Sequence, residues 1–470
     1  MNTYKIRNLF VACCICCGLS MTTVACDNEL DIVPKGMTTL EKVDDLESLL
    51  NQEYSLSINP ISDLCVICNE SLGFFINVPG TLSKKQTLEY AYMALDDQLD
   101  RVSLTTEDKR YEAAYKYINY MNVIISKMPD AIGDDSKKVQ LVAEARIIRA
   151  YLHWLLVNIH AKQYDDNTAA TEGGIAYVDD TNVGLTKEKL SLAETYKRIL
   201  EDCSDEVIAL LPERNNDVER PDQAFGNGMR AMVLMQMKHY ADALPYALTS
   251  LNLNGTIEDR SEIKESMTWG IEEKAQSNLL YIGTSLRANP LFEMLSRESS
   301  VMFEDNDYVV KYDLNGGWSL FWGEMDSGIE GTLEYNGWNA QCNAYGLTSD
   351  RMYYTAAECY IRTGKIKEGL ELVDRVRAKR IENFEPFAKD GLSEQTAMAL
   401  MQKAKWMECL GSFINFFDCK RWNSEANYRR TITRDLCQYG TFTLAPESPL
   451  WVLPFPLTAT RYNTTLTQNY

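Results

Sequence analysis

Histidine is nearly absent, with three in 470 residues. His153 and His160 would share a helix face about 10 Å apart, too far to grip one metal unaided, and they read as ordinary helix residues. No Gly-x-Ser-x-Gly elbow occurs, and Gly364-Lys365 lacks the upstream glycine of a phosphate-binding loop. Gly226, Gly228 and Ala231 have dinucleotide-fingerprint spacing, but a charged stretch (ERPDQ) precedes them where a buried strand is required. No later stretch approaches the roughly 18 apolar residues of a membrane-spanning helix. Basic residues are scarce too, 47 against 67 acidic, for a net charge of −20. Such a surface repels DNA, RNA and anionic headgroups, so no nucleic-acid partner is expected. In an acidic chain a pair of catalytic carboxylates is set by spacing in space, and nothing in the sequence singles one out.

Five of the 13 cysteines lie in the first 26 residues. Of the later ones, Cys203, Cys359 and Cys409 fall at apolar positions of helical patterns and read as small buried hydrophobes. Cys65 and Cys68 have metal or redox spacing, but no second pair or nearby histidine completes a zinc site, and neither metal nor cofactor is expected.

The N-terminus is a targeting segment. Lys5 and Arg7 precede an apolar run, Leu9 to Met21, that is too short to span a bilayer. Ala25 and Cys26 follow. The order basic, apolar, small, cysteine resembles a bacterial lipoprotein signal, although Thr23 stands where such signals usually carry leucine. It predicts a signal peptide over 1–25, acylation of Cys26, and a lipid-held tether over 26–45. An ordinary secretory signal cleaved near Ala25 is the alternative. Loss of residues 1–25 removes Lys5 and Arg7 and no acid, leaving 45 basic against 67 acidic residues, a net of −22.

The remaining chain, 46–470, reads as one all-α domain. Ala145, Ile148, Leu152, Leu155 and Ile159 form a stripe at helical spacing, and Thr106 to Lys127 carries Tyr111, Tyr115, Ile118 and Ile125 on one side. Ser191 and Glu194 make a capping box for a helix whose stripe runs Tyr196, Ile199, Leu200, Cys203, Val207, Leu210, with Pro212 stopping it. Two helix pairs are expected near 227–252 and 349–380, the second turning at Gly364. Their small residues permit close packing, the logic of a tetratricopeptide-like superhelix in which each pair buries its face on a neighbour. Pro245 is awkward for the first pair.

Between the pairs, over roughly 254–346, helical periodicity fades into an irregular, partly β insertion rich in Gly, Asn and aromatics (NGGWSLFWGEMDSGIEGTLEYNGWNAQCNAYG). Long insertions of this kind are usually functional. Trp318, Trp322, Tyr335 and Trp338 offer flat apolar platforms on which pyranose rings stack. Asn336 and Asn339, with Asn315, Asp326 and Glu330 nearby, can serve hydroxyls. The competing reading is that these aromatics pack the insertion onto the helices. A basic patch around Arg287 or Arg297 could offset the overall negative charge locally.

Several segments, in order, resemble the SusD/RagB family of outer-membrane lipoproteins from Bacteroidetes. NELDIVPKG is similar to the family's opening, and Glu144, Ala145, Arg146, Arg149, Ala150 and Tyr151 to its EAR-x-x-RA-Y helix. Glu358 with LELVDRVRAKR resembles its later helix pair, FFDCKRW its DLKRW signature, and Pro454, Pro456 and Thr467 to Asn469 its closing segment. Ser412, Phe413, Asn415 and Asp374 depart from the pattern. The resemblance implies a helical scaffold and a non-enzymatic surface protein. Such a protein captures oligosaccharide and sits as a lid over a SusC-like TonB-dependent outer-membrane channel. A peptide-binding lid, an α-helical glycoside hydrolase and a structural subunit of negligible affinity are the alternatives.

Overall fold

The computed structural model describes residues 40–51, 62–74, 77–182, 184–262, 275–282, 293–311, 318–335 and 343–470. Cys26, Asn315, Asn336, Trp338, Asn339 and Arg287 lie outside them. Among the described residues no helix is long and apolar enough to cross a membrane.

The scaffold is built from antiparallel helix pairs. Helix α1 (Lys109–Lys127) packs on α2 (Asp135–His160). Asp108 caps α1, its carboxylate accepting from the Arg110 and Tyr111 N–H groups. Of the expected α1 stripe, Tyr111 and Ile118 are buried, while Tyr115 and Ile125 are half-buried at its edge.

From Ala143 to His160, α2 is buried nearly all round, so its polar residues need partners in the interior. Glu144 accepts from Arg220 at 2.7 Å, and Arg149 pairs with Asp202 at 2.7 Å with Arg146 alongside. His153 Nδ1 lies 2.9 Å from the Arg149 carbonyl, and its Nε2 accepts from the Val178 N–H. That arrangement suits a neutral ring, and burial pushes the His153 pKa down to about 3.

Helix α3 (Leu192–Asp202) starts where Ser191 accepts from the Glu194 N–H, but the capping box is only half made, because the Glu194 carboxylate turns to Arg198. The expected stripe is also interrupted. The helix ends at Asp202, and a separate turn over Asp205–Ile208 rotates the register, burying Leu211 and exposing Leu210.

Both expected helix pairs are present. The first comprises α4 (Gln223–Gln236) and α5 (Tyr240–Leu253). Gly226 and Gly228 lie inside α4, where a Cβ at Gly228 would stand 2.9 Å from Leu347; their spacing serves packing, not phosphate binding. Pro245 sits within α5.

A short helix of the insertion, α6 (Leu320–Ser327), precedes the second pair, α7 (Ser349–Arg362) and α8 (Ile366–Arg377). Gly364 makes the turn at φ +85°, a left-handed conformation that glycine adopts without strain. Helix α5 packs directly on α7, so two pairs far apart in sequence stack as neighbours. Helices α9 (Glu394–Glu408) and α10 (Ile414–Asn423) complete the scaffold.

Glu358 of α7 and Arg421 of α10 are both fully buried and form a two-pronged pair at 2.7 and 2.8 Å. Trp422 Nε1 donates to the same carboxylate, and Arg421 also reaches Asp418. Burial alone would raise the Glu358 pKa; the facing guanidinium overrides it and holds the carboxyl low.

The insertion is partly β, as expected. Its strands join β1 (Ser71–Phe74) in an antiparallel sheet with β2 (Glu293–Leu295), β3 (Trp318–Ser319) and β4 (Leu333–Tyr335), ordered β1-β2-β4-β3. A small core of Leu72, Val78, Met93, Met294, Ile329 and Leu436 packs against this sheet.

Candidate functional site

Strand β3 runs straight into α6, and the junction is set by Ser319, whose hydroxyl accepts from the Trp322 N–H. Gly328, at φ +69°, ends the helix and donates to the Glu324 carbonyl. The chain then turns back, with Glu324 accepting from the Gly331 N–H at 2.8 Å, and enters β4. Trp318 comes directly opposite Tyr335, and Ser319 opposite Glu334.

The inner face of α6 is flush with the sheet. A Cβ on Gly323 would stand 2.3 Å from the Thr332 carbonyl oxygen, so only glycine permits this approach. Ser327 bonds the Thr332 hydroxyl at 2.8 Å and accepts from the Ile329 N–H, closing the other end of the seat.

The outer face is a ledge. Leu320, Phe321, Trp322 and Met325 are 46%, 68%, 42% and 53% exposed. The Phe321 and Trp322 rings meet edge to face at 5.2 Å. Asp326 and Glu330 are exposed nearby. Glu334, between Met294 and Ser319 in the sheet, is pushed up to about 7 by burial and then by the facing Asp326 carboxylate.

The structure therefore brings the backbones of Trp318 and Tyr335 into register and holds Trp322 on the following turn; Trp338, Asn336 and Asn339 are outside the described residues. Reading Trp and Tyr alone missed Leu320, Phe321 and Met325, although all lie in the same stretch, SLFWGEMD. The Asp326–Glu334 pair gave no sequence signal, because it is made by strand register. Arg297 pairs with Asp435. Cys65 and Cys68 are buried and form no disulfide, and among the described residues no cluster of His, Cys, Asp and Glu could hold a metal ion.

Residues 34–225 match a family model, SusD-like, described as "Starch-binding associating with outer membrane". The fold beyond that segment agrees with it. A SusD-like carbohydrate binding protein from Bacteroides vulgatus superposes with a TM-score of 0.67 at 13% identity, over 90% of this chain and 97% of its own. The chain has the SusD-like fold, and its residues 34–225 resemble the SusD-like family. A SusD superfamily protein from Bacteroides thetaiotaomicron gives a TM-score of 0.69 at 16% identity, over 91% of this chain and 100% of its own. Another from Bacteroides fragilis gives 0.68 at 16%, over 91% and 99%. No curated protein matches the chain. At these identities the SusD-like structures establish the scaffold and leave the ligand to the residues of the site.

Proposed function

We propose that this SusD-like chain is a non-enzymatic cell-surface binding protein. It captures oligosaccharide and passes it to a SusC-like TonB-dependent outer-membrane channel, while an acylated Cys26 holds it at the membrane. The observation that carries the reading is the ledge on α6. Two aromatic rings stand exposed on a helix whose opposite face is locked to a sheet, a rigid platform of the kind on which sugar rings stack. The family description, starch-binding and associated with the outer membrane, supports the same reading.

Calorimetric titration of residues 27–470 with neutral oligosaccharides tests it. Saturable binding is expected, and Trp322→Ala should cost about 1–2 kcal/mol of affinity, in the range of an aromatic hot spot, without lowering Tm. Loss of stability with unchanged affinity would make Trp322 a packing residue and remove the reading's support. A second reading, peptide capture, is favoured by Leu320 and Met325 in the ledge and by Asp326 and Glu330 beside it, which suit apolar and basic side chains. Heat with a peptide mixture and none with glycans would select it.

A further inference from the structure

A cavity of about 410 Å³ opens where the end of α2, the end of α10 and the 446–452 loop meet, within the usual size range of small-molecule sites. Its polar lining is dominated by donors. Lys162, Lys420 and Arg429 line it, against one side-chain carboxylate, Glu447. In a chain of net charge −20 this local excess of positive charge runs against the whole.

Most other polar groups of the lining are already satisfied. Gln163 exchanges hydrogen bonds with Gln236, Ser424 donates to the Arg421 carbonyl, Ser448 to Asp97, and Trp451 Nε1 to the Ala445 carbonyl. Lys162 pairs with Glu172 at 3.0 Å.

Three donor groups are left. Asn423 is 4% exposed; its Oδ1 accepts from the Arg430 N–H, but its Nδ2 has no partner. A buried unpaired donor costs about 1–3 kcal/mol, so a ligand that satisfied it would recover that cost. Lys420, also 4% exposed, donates to the carbonyls of Asn158 and Ala161 at the end of α2 and keeps one further N–H when protonated. The exposed Arg429 guanidinium makes no ion pair among the described residues. The remaining wall is Pro446, Pro449, Trp451 and Tyr470, an apolar surface for one side of a ring.

We infer that this cavity is an anion-selective site for a small carboxylate-bearing ligand of about one ring. The oxyanion faces Asn423, Lys420 and Arg429, and the ring lies against the Trp451 and proline wall. Burial without an acidic partner pushes the Lys420 pKa down to about 7, and a bound anion would supply the missing counter-charge. The site shares no residue with the α6 ledge, so it goes beyond the glycan-capture reading and does not depend on it.

Titration of residues 27–470 with glucuronate, with glucose as the neutral control and acetate as the anion alone, tests the inference. Saturable heat is expected with glucuronate, weaker with acetate and none with glucose. Arg429→Glu, at an exposed position, should weaken glucuronate at least about tenfold, the value of one charge-assisted hydrogen bond. Asn423→Asp, which replaces the orphan donor with an acceptor, should do the same, and Trp322→Ala should leave glucuronate binding unchanged. Retained melting temperatures verify that the variants fold. No saturation by glucuronate at millimolar concentration, equal binding of glucose, or full affinity in Arg429→Glu would each overturn the inference. A failure here with intact neutral-glycan binding leaves the α6 reading untouched.

Discussion

Glu334 shows how one side chain can tie a helix to a sheet. Its carboxyl is raised from 4.5 to about 7 by burial and by Asp326, so the folded state holds a proton that the unfolded chain releases earlier. For an acid whose folded pKa is raised, the associated stability is complete below about pH 4.5. It drains away as pH rises and is gone above about 7, because the unfolded state binds fewer protons over that window. Glu334→Gln keeps a donor toward Asp326 at every pH. Melting curves from pH 4.5 to 8 should show the wild type losing Tm relative to Glu334→Gln as pH rises, with the two closest at the acid end. Parallel curves would show that the Glu334 carboxyl is not raised in the folded state. The same arithmetic explains why Glu358 and Arg421 coexist in the interior. A buried ion is tolerated only when its partner and hydrogen bonds offset desolvation, and here Trp422, Asp418 and Arg421 provide them.

At the scale of the element, α6 depends on Gly323. Its neighbours at the would-be Cβ are backbone atoms, Thr332 O at 2.3 Å and Glu334 N at 2.8 Å, which cannot rotate away. Gly323→Ala should therefore lift the helix from β4 at a cost of about 1–3 kcal/mol, the usual range for overpacking. It should also weaken ligand binding by misplacing Trp322. Urea unfolding and titration of the same variant check both effects. Unchanged stability would show that α6 does not sit flush on the sheet. The element scale is also where sequence periodicity failed once. The stripe continuing to Leu210 ignored a break after Asp202, and the residue that reaches the core is Leu211. Periodicity reports a face only while the helix is unbroken.

For the whole molecule, the C-terminal segment acts as a clasp. Asn469 donates to the carbonyls of His160 and Gly174, Gln468 exchanges two bonds with the Phe455 backbone, and Lys189 reaches Thr467 and Asn469. The Leu453 N–H donates to the Ile159 carbonyl. Deleting residues 463–470 leaves the His160 and Gly174 carbonyls and the Phe455 backbone groups without these partners, at about 1–3 kcal/mol each. The deletion should lower Tm by several degrees while leaving α6 and its ligand affinity intact at low temperature. An unchanged Tm would show that the clasp contributes nothing.

The sequence alone determined what short spacings encode. The helix pairs, the caps at Ser191 and the turn at Gly364, the buried cysteines and the change of texture in the insertion are all set by residues a few positions apart. Their geometry follows from the helical period and from backbone sterics. The backbones of Trp318 and Tyr335 come into register, with Trp322 between them, because the strand–helix–strand segment that joins them is local. Tertiary structure decided everything that joins distant segments. It set which pair stacks on which, the meeting of Glu358 with Arg421, and the two-sided register that places Glu334 beside Asp326. It also turned one face of α6 outward, and it closed a cavity from Lys162, Asn423, Arg429 and Trp451. Such contacts depend on the summed packing of many side chains, and no window of neighbouring residues carries that sum.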